Sequence, residues 1–271
     1  ITKCSTSAEA IQEAGLDFEV SKRPNVHPLP SGKNILSDNS FYTFRTDNEA
    51  ILGDKIGKDY QVVQNIDAFS FFDNIVGEND QIRYETDGAL GYGATIFITA
   101  KLPEYIRVGR NDLIDQYLFL TSTHDGLGCI TIAFTPVRIW CSNTLNAALH
   151  NCSNAIKIRH TASAAEKLMG AHKMLGLSNK LSVELEAIFN RWARVRITDP
   201  EVKRLIQLAM IPNRETFEKL KTGKEEELSS HYNNTVSSVF DYAMTSDSQQ
   251  ESTTKGTLFG AYNAVTGYYQ N

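Results

Sequence analysis

DQYLFLTSTHDGLGCITIAFTPVRIW, Asp115–Trp140, reads as a β-hairpin, and the rest of the chain is read outward from it. Tyr117, Phe119 and Thr121 alternate with Leu118 and Leu120, the period of two that places neighbouring side chains on opposite faces of a strand. His124-Asp125-Gly126 supplies the turn, with Asp-Gly as its chemical signal. Ile130, Ile132 and Phe134 alternate on the returning strand. Pro136 has no N–H to give to a ladder, so an edge or a bulge is expected there.

Upstream, IRYETDGALGYGATIFITAKLP (residues 82–103) gives a turn at Asp87-Gly88 and then a strand with Ile96, Ile98 and Ala100 alternating. NIDAFSFFDNIVGE (residues 65–78) is helical, with Asp67 as N-cap, Phe69, Phe72 and Val76 at helical spacing, and Gly77 at C′. The first 58 residues read as loop-rich. KRPNVHPLPSGKN (residues 22–34) should be extended and exposed, NSFYTFRTD (residues 39–47) is a strand, and ILGDKIGKDYQVVQN (residues 51–65) is a turn followed by a short strand.

Downstream the period changes from 2 to 3.6. Ser142 or Asn143 caps a helix carrying Leu145, Ala148 and Leu149. Ser163–Glu166 (SAAE) and Thr198–Glu201 (TDPE) have the capping-box pattern, and the helix opened by the first should stop near Gly176. Leu181, Leu185, Ile188, Phe189 and Trp192 share one helical face. Residues 224–244 form a long amphipathic helix, 246–256 a polar linker, and 257–271 a terminal helix with Leu258, Phe259, Tyr262 and Val265 inward. Strands precede helices without β-α-β alternation. The expected class is α+β: a largely antiparallel sheet in the first half packed with helices, and a helical C-terminal half. The expected organisation is a single domain, 1–271: a loop-rich segment 1–58, an α+β sheet core 59–160, a helical part 161–245 and the terminal helix 256–271.

The chain of 271 residues is 41% hydrophobic, enough for a real core. No apolar run nears the roughly 18 residues that span a bilayer, so no membrane role is expected. Four cysteines without Cys-x-x-Cys spacing suggest reduced thiols in the cytosol. The net charge of −5 is unevenly spread: residues 151–197 hold eight Lys and Arg against three Glu, and the remainder is acidic. Such a zone is either an electrostatic footprint for nucleic acid or the solvated face of ordinary helices.

The reactive side chains point to no established chemistry. Cys129 and Cys141 near His124 could form a nucleophile and base, yet nothing nearby is placed to lower a thiol pKa, and both positions suit small buried thiols. There is no Gly-x-Ser-x-Gly elbow. His124, Asp125, Cys141, His150, Cys152 and His160 are too loosely spaced for a zinc site. GALGYG (residues 88–93) precedes a strand and is no phosphate loop. Neither a metal nor a cofactor is expected.

Several long motifs together carry a resemblance: STHDGLGCITIAFTPVRIWCSNTLNAAL followed by IKIRHT, with AGLDFEV, YQVVQNIDAFSFFDNIV, ETDGALGYGATIFITAKLP and GTLFGAYNAVTGYYQN in order. The chain resembles the phage/plasmid-like protein family, a domain-of-unknown-function group of bacteriophages, plasmids and integrated elements. The resemblance covers nearly the whole chain. Gly267 stands where that pattern leads one to expect a charged residue. It implies a mobile element and the cytoplasm of a bacterial host, and it brings no reaction and no catalytic residue. A weaker topological likeness is to single-strand annealing proteins, which hold DNA in a basic groove; fold analogy alone does not establish function.

The leading expectation is a non-enzymatic protein that binds nucleic acid, single-stranded DNA during recombination or replication, as a homo-oligomer. Its candidate contacts are Arg107, Arg110, Arg138, Lys157, Arg159, Arg191, Arg194 and Arg196, with Tyr84 and Tyr92 as aromatic platforms. His124 and Asn143 are candidate ligand-site residues. The alternatives are a factor that acts on a host or phage protein in defence or counter-defence, and an enzyme of unknown reaction.

Overall fold

The computed structural model describes residues 4, 6–76, 83–136, 155–170 and 174–268. The chain divides into two compact units: Ile1–Glu104 with Asp115–Asn179, and Tyr105–Ile114 with Lys180–Asn271. The class is α+β, with antiparallel sheets in the first half and helices in the second.

The first unit holds two sheets. Strands β1 (Val20–Pro28), β2 (Asn34–Arg45) and β3 (Ile51–Gly57) form an antiparallel meander. Strands β4 (Arg83–Leu90), β5 (Thr95–Val108), β6 (Asp112–Thr123), β7 (Ile130–Thr135) and β8 (Ile156–Ile158) form the second sheet, ordered β4-β5-β6-β7-β8. Tyr117 pairs with Thr135 and Thr121 with Thr131, the hairpin expected from the alternation. Residues 116–122 and 130–135 are buried on both faces, so the two sets of apolar side chains each find a core. One of these cores gathers Phe97, Phe119 and Ala133 across three strands. Strand β7 lies between β6 and β8 and stops at Thr135, so Pro136 ends the strand without marking an edge.

Around this hairpin the sequence reading needs correction. Asp87-Gly88 lies inside β4, not in a turn. A Cβ on Gly88 would come within 2.9 Å of the Phe97 ring opposite, so the glycine answers a close cross-strand approach. The segment read as loop-rich folds into helix α1 (Ser7–Glu13) and the three-stranded meander. Residues 51–57 are strand, and the turn follows them. Helix α2 (Asn65–Val76) begins two residues before Asp67, because Ala68 N–H already donates to the Gln64 carbonyl. Helix α3 (Ala164–Met169) ends at Gly170, and Ser163 makes no side-chain cap bond. The expected helix after Trp140 and Gly77 at C′ lie outside the described residues.

The second unit is built on helix α4 (Met174–Trp192) from Lys180 onward and on α5 (Asp199–Ala209), α6 (Arg214–Lys221), α7 (Ser230–Thr245) and α8 (Leu258–Tyr268). Helix α4 runs through Gly176, where a stop was expected. Phe189 is its buried anchor, packed 5.4 Å from Phe259 and 5.1 Å from Tyr262, centroid to centroid. The capping box opens α5: the Glu201 carboxylate accepts from the Thr198 N–H at 2.7 Å and its hydroxyl at 2.8 Å. The long helix expected over 224–244 is interrupted; Ser229 caps α7 by accepting from Tyr232 N–H. Val202, Ile206, Val236, Val239 and Ala264 fill the core between α5, α7 and α8. On α8 the buried face is Phe259, Gly260, Ala261, Ala264 and Gly267, while Leu258, Tyr262 and Val265 are half-buried beside it. Residues 246–256 are no linker. Thr254 is buried and its hydroxyl donates to the Ser248 carbonyl at 3.0 Å; the Gln250 amide donates to the Met244 carbonyl at 2.8 Å.

Candidate functional site

Two groupings of polar side chains stand out, one in each unit. In the second unit the tip of the β5–β6 hairpin, residues 105–114, is fastened to α4 by two side chains, Asn190 and Glu186. The Asn190 amide donates to the Arg107 carbonyl at 2.7 Å, and its Oδ1 accepts from the Gly109 N–H at 2.9 Å. The Glu186 carboxylate accepts from the Arg107 N–H at 3.0 Å. On the other side Thr253 donates to Asp112 at 2.9 Å. Gly109 adopts φ +65, and a Cβ there would meet Thr253 at 2.8 Å, so the tight tip needs glycine.

This fastening brings Arg107 and Arg110 to the end of α4 that carries Arg191 and leads into Arg194 and Arg196. All five are exposed, and among the described residues none is in a salt bridge. Arg107 reaches the Arg110 carbonyl at 3.4 Å, and Arg196 donates to the Lys255 carbonyl at 2.7 Å, so these two are partly held by backbone. Arg191 sits in the last turn of α4, where a cation also suits the helix dipole. Lys157 and Arg159 are exposed in the first unit, on β8 and directly after it. Arg138 and Asn143 lie outside the described residues. Tyr84 is fully buried, and its hydroxyl donates to Asp73 at 2.7 Å, so it is no platform for a base. Tyr92 is 88% exposed.

In the first unit His124 is fully buried, and the turn begins around it. Its N–H donates to the Ala94 carbonyl at 2.7 Å, and its carbonyl accepts from the Thr43 hydroxyl at 2.6 Å. Strand β3 closes over the following residues, since a Cβ on Gly53 would come within 2.7 Å of the Asp125 backbone. Asn65 fixes the imidazole tautomer. Its amide nitrogen donates to the Leu16 carbonyl at 2.7 Å, leaving Oδ1 as an acceptor for His124 Nε2–H at 2.8 Å. Nδ1 of His124 is therefore a bare lone pair.

The His160 ring lies 6.5 Å from that of His124 and stacks on Tyr60 at 4.9 Å. The Tyr60 hydroxyl donates to the Thr123 carbonyl at 3.0 Å. Burial pushes both histidines down to about 4, and each neutral ring suits the other's presence. Burial also pushes the Tyr60 hydroxyl well above its ordinary range. Among the described residues seven buried side-chain polar atoms lack a hydrogen-bond partner. Five belong to this cluster: Ser122 Oγ, Thr123 Oγ1, His124 Nδ1 and both His160 nitrogens. Such groups are expensive to bury singly, and their concentration marks a buried polar cluster at the end of β6. Neutral imidazoles are metal ligands by nature, yet among the described residues no three His, Cys, Asp or Glu side chains converge as a metal site would need.

Residues 54–271 match the family model described as a domain of unknown function, DUF932. The chain belongs to the DUF932 family. No curated protein and no solved structure matches this DUF932 chain. Among its described residues no helix is long and apolar enough to cross a membrane. Sequence reading had missed Asn190, Asn65 and Tyr60 in this DUF932 chain, because each acts on a partner far away in sequence; Asn190 and Arg107 are 83 residues apart.

Proposed function

We propose that the chain is a nucleic-acid-binding protein of phage- or plasmid-type elements, working in the bacterial cytoplasm on single-stranded DNA as a homo-oligomer. The observation that carries this reading is the clamp of Asn190 on the hairpin tip. It gathers Arg107, Arg110, Arg191 and Arg194 on one unit, where the Glu186 carboxylate takes the Arg107 backbone N–H and, among the described residues, no guanidinium of the four is in a salt bridge. Isolated surface arginines face solvent on any helix. Unpaired arginines drawn from two distant segments make a patch of one sign, and such a patch binds phosphate at the expense of counterions. The polypeptide passes between the two units at residues 104/105, 114/115 and 179/180, and we treat both as parts of one functional domain.

Fluorescence anisotropy with labelled single-stranded and duplex oligonucleotides over a salt series tests this. The wild type should bind single strands at micromolar concentration or tighter and weaken steeply with salt. Arg191→Glu with Arg194→Glu should lower the salt slope by about 2, one for each phosphate that is no longer neutralised. Absence of binding at low salt, or binding unchanged in the double variant, would remove the patch from the reading.

A further inference from the structure

The distal part of the β1–β2 hairpin stands outside both sheets' cores. Strand β3 covers β2 only from Ser40 to Phe44, and β1 is an edge strand, so the ribbon from Val26 to Leu36 has no third strand. Every residue from 26 to 36 is exposed. The ribbon is nevertheless closed and in register: Val26 faces Leu36, His27 faces Ile35, Pro28 faces Asn34, and the tip is tied by Leu29 N–H to the Lys33 carbonyl at 2.8 Å and Gly32 N–H to the Leu29 carbonyl at 2.9 Å. Its base is anchored by Lys22, whose ammonium donates to the carbonyls of Gly57, Lys58 and Tyr60 at 2.8–2.9 Å.

The composition of this ribbon is unusual for an exposed element. Val26, Leu29, Ile35 and Leu36 all show large apolar side chains to solvent, Leu36 at 61% exposure. Apolar clusters of this kind mark interaction surfaces. No acidic residue occurs from Val20 to Ser37, although the chain has more acidic residues than basic ones overall; His27 and Lys33 lie on the exposed ribbon itself, while Lys22 and Arg23 are at its base. The fitting partner is therefore a polyanion that also offers apolar crevices. A second protein strand is disfavoured, because Pro24 and Pro28 remove two N–H donors from the edge strand β1.

We propose that the β1–β2 ribbon is a nucleic-acid arm whose Pro28-Leu29-Pro30 tip wedges between stacked bases of a duplex. A two-stranded ribbon has the width of a groove, and leucine and proline are side chains that unstack base steps from one. From Val26 to the tip the ribbon extends about 13 Å at a strand's rise, more than the roughly 8 Å depth of either groove. The prolines fix φ and stiffen the tip. Lys33 lies beside the wedge to meet a phosphate.

This inference rests on the nucleic-acid reading above and extends it from single strands to a duplex, and the test separates the two. Full-length protein is titrated onto a duplex carrying 2-aminopurine, which brightens on unstacking, with anisotropy and light scattering on the same samples. Wild type should brighten the probe. Leu29→Ser with Leu36→Ser lies wholly on the surface and should keep the fold; it should abolish the brightening and weaken binding about tenfold, with the salt slope unchanged. Lys33→Gln should lower the slope by about 1. Wild-type brightening retained by the double-serine variant overturns the arm while leaving the arginine patch standing. Loss of an oligomer in that variant, with nucleic-acid binding intact, assigns the ribbon to a second copy and also overturns it. A wild type that binds single strands but no duplex overturns the arm alone, and one that binds no nucleic acid at low salt overturns both readings.

Discussion

Replacing His160 by Phe should flatten the acid sensitivity of the fold. His160 is 4% exposed, stacked on Tyr60, and neither ring nitrogen has a partner, so Phe keeps the shape and removes the titration. In the folded chain the imidazole is held down to about 4, against an ordinary 6.5. The unfolded chain therefore takes up the proton first, and stability falls as pH drops below about 6.5 until the folded ring also titrates near 4. The full displacement corresponds to about 3 kcal/mol, of which about 2 kcal/mol is already lost at pH 5. His124 should contribute a loss of similar size over the same window. Urea unfolding of wild type and His160→Phe at pH 7.5 and pH 5.0 reads the difference. Wild type should lose about 2 kcal/mol more than the variant across this interval. Titrating groups other than His124, whose ring His160 also helps to hold down, are common to both proteins and cancel in the comparison. Parallel losses in the two proteins would mean that His160 is not held neutral by burial, and the buried polar cluster around it would have to be given up.

Further substitutions probe the remaining features. Asn190→Ala keeps every arginine yet releases the hairpin tip; oligonucleotide binding measured by anisotropy should weaken severalfold, and urea unfolding should show a cost of about 1–2 kcal/mol for the missing hydrogen bonds. Burial raises the Asp87 carboxyl to about 6, so its penalty is absent below the ordinary carboxylate range, grows as pH rises from there to about 6, and is complete above that. Asp87→Asn should accordingly stabilise the fold at pH 7.5 by about 1 kcal/mol, discounted for partial exposure, and show no gain near pH 4 in the same unfolding experiment. Gly260→Ala drives a Cβ into the Thr254 carbonyl, and thermal melting should fall by an amount equivalent to about 2 kcal/mol or more.

The hairpin from Asp115 to Thr135 was legible because two apolar sets alternate over many residues, and only a strand presents both. The cap at Thr198–Glu201 and the inward Phe189 were legible for the same kind of reason, a spacing tied to one geometry. The inner part of β2 was legible from the aromatic alternation after Asn39, whereas β1 and the start of β2 were hidden by prolines and polar residues, since an exposed ribbon has no buried face to write an alternation. Gly88 misled because glycine signals a turn as readily as it signals the nearness of Phe97. Residues 246–256 looked like a linker, yet serine, threonine and glutamine side chains bind backbone carbonyls there in place of regular structure. The basic residues were legible singly. Their gathering was not, because Asn190 has no local feature that distinguishes it from any other helical asparagine. His124 was recognised for its place at the turn, and the partners that make it chemically distinct, Asn65 and His160, come from other elements.

The interleaving of the two units has a consequence for how the chain is made. Ile106 and Val108 are fully buried within the unit whose other residues begin at 180. A ribosome releases the hairpin tip long before those helices exist, so these two side chains must wait in water or in the care of a chaperone. For the same reason a fragment ending at residue 179 would carry an apolar loop end with nothing to cover it. Such a fragment should self-associate on expression, and dividing this protein for separate study calls for replacing residues 105–114 by a short polar turn.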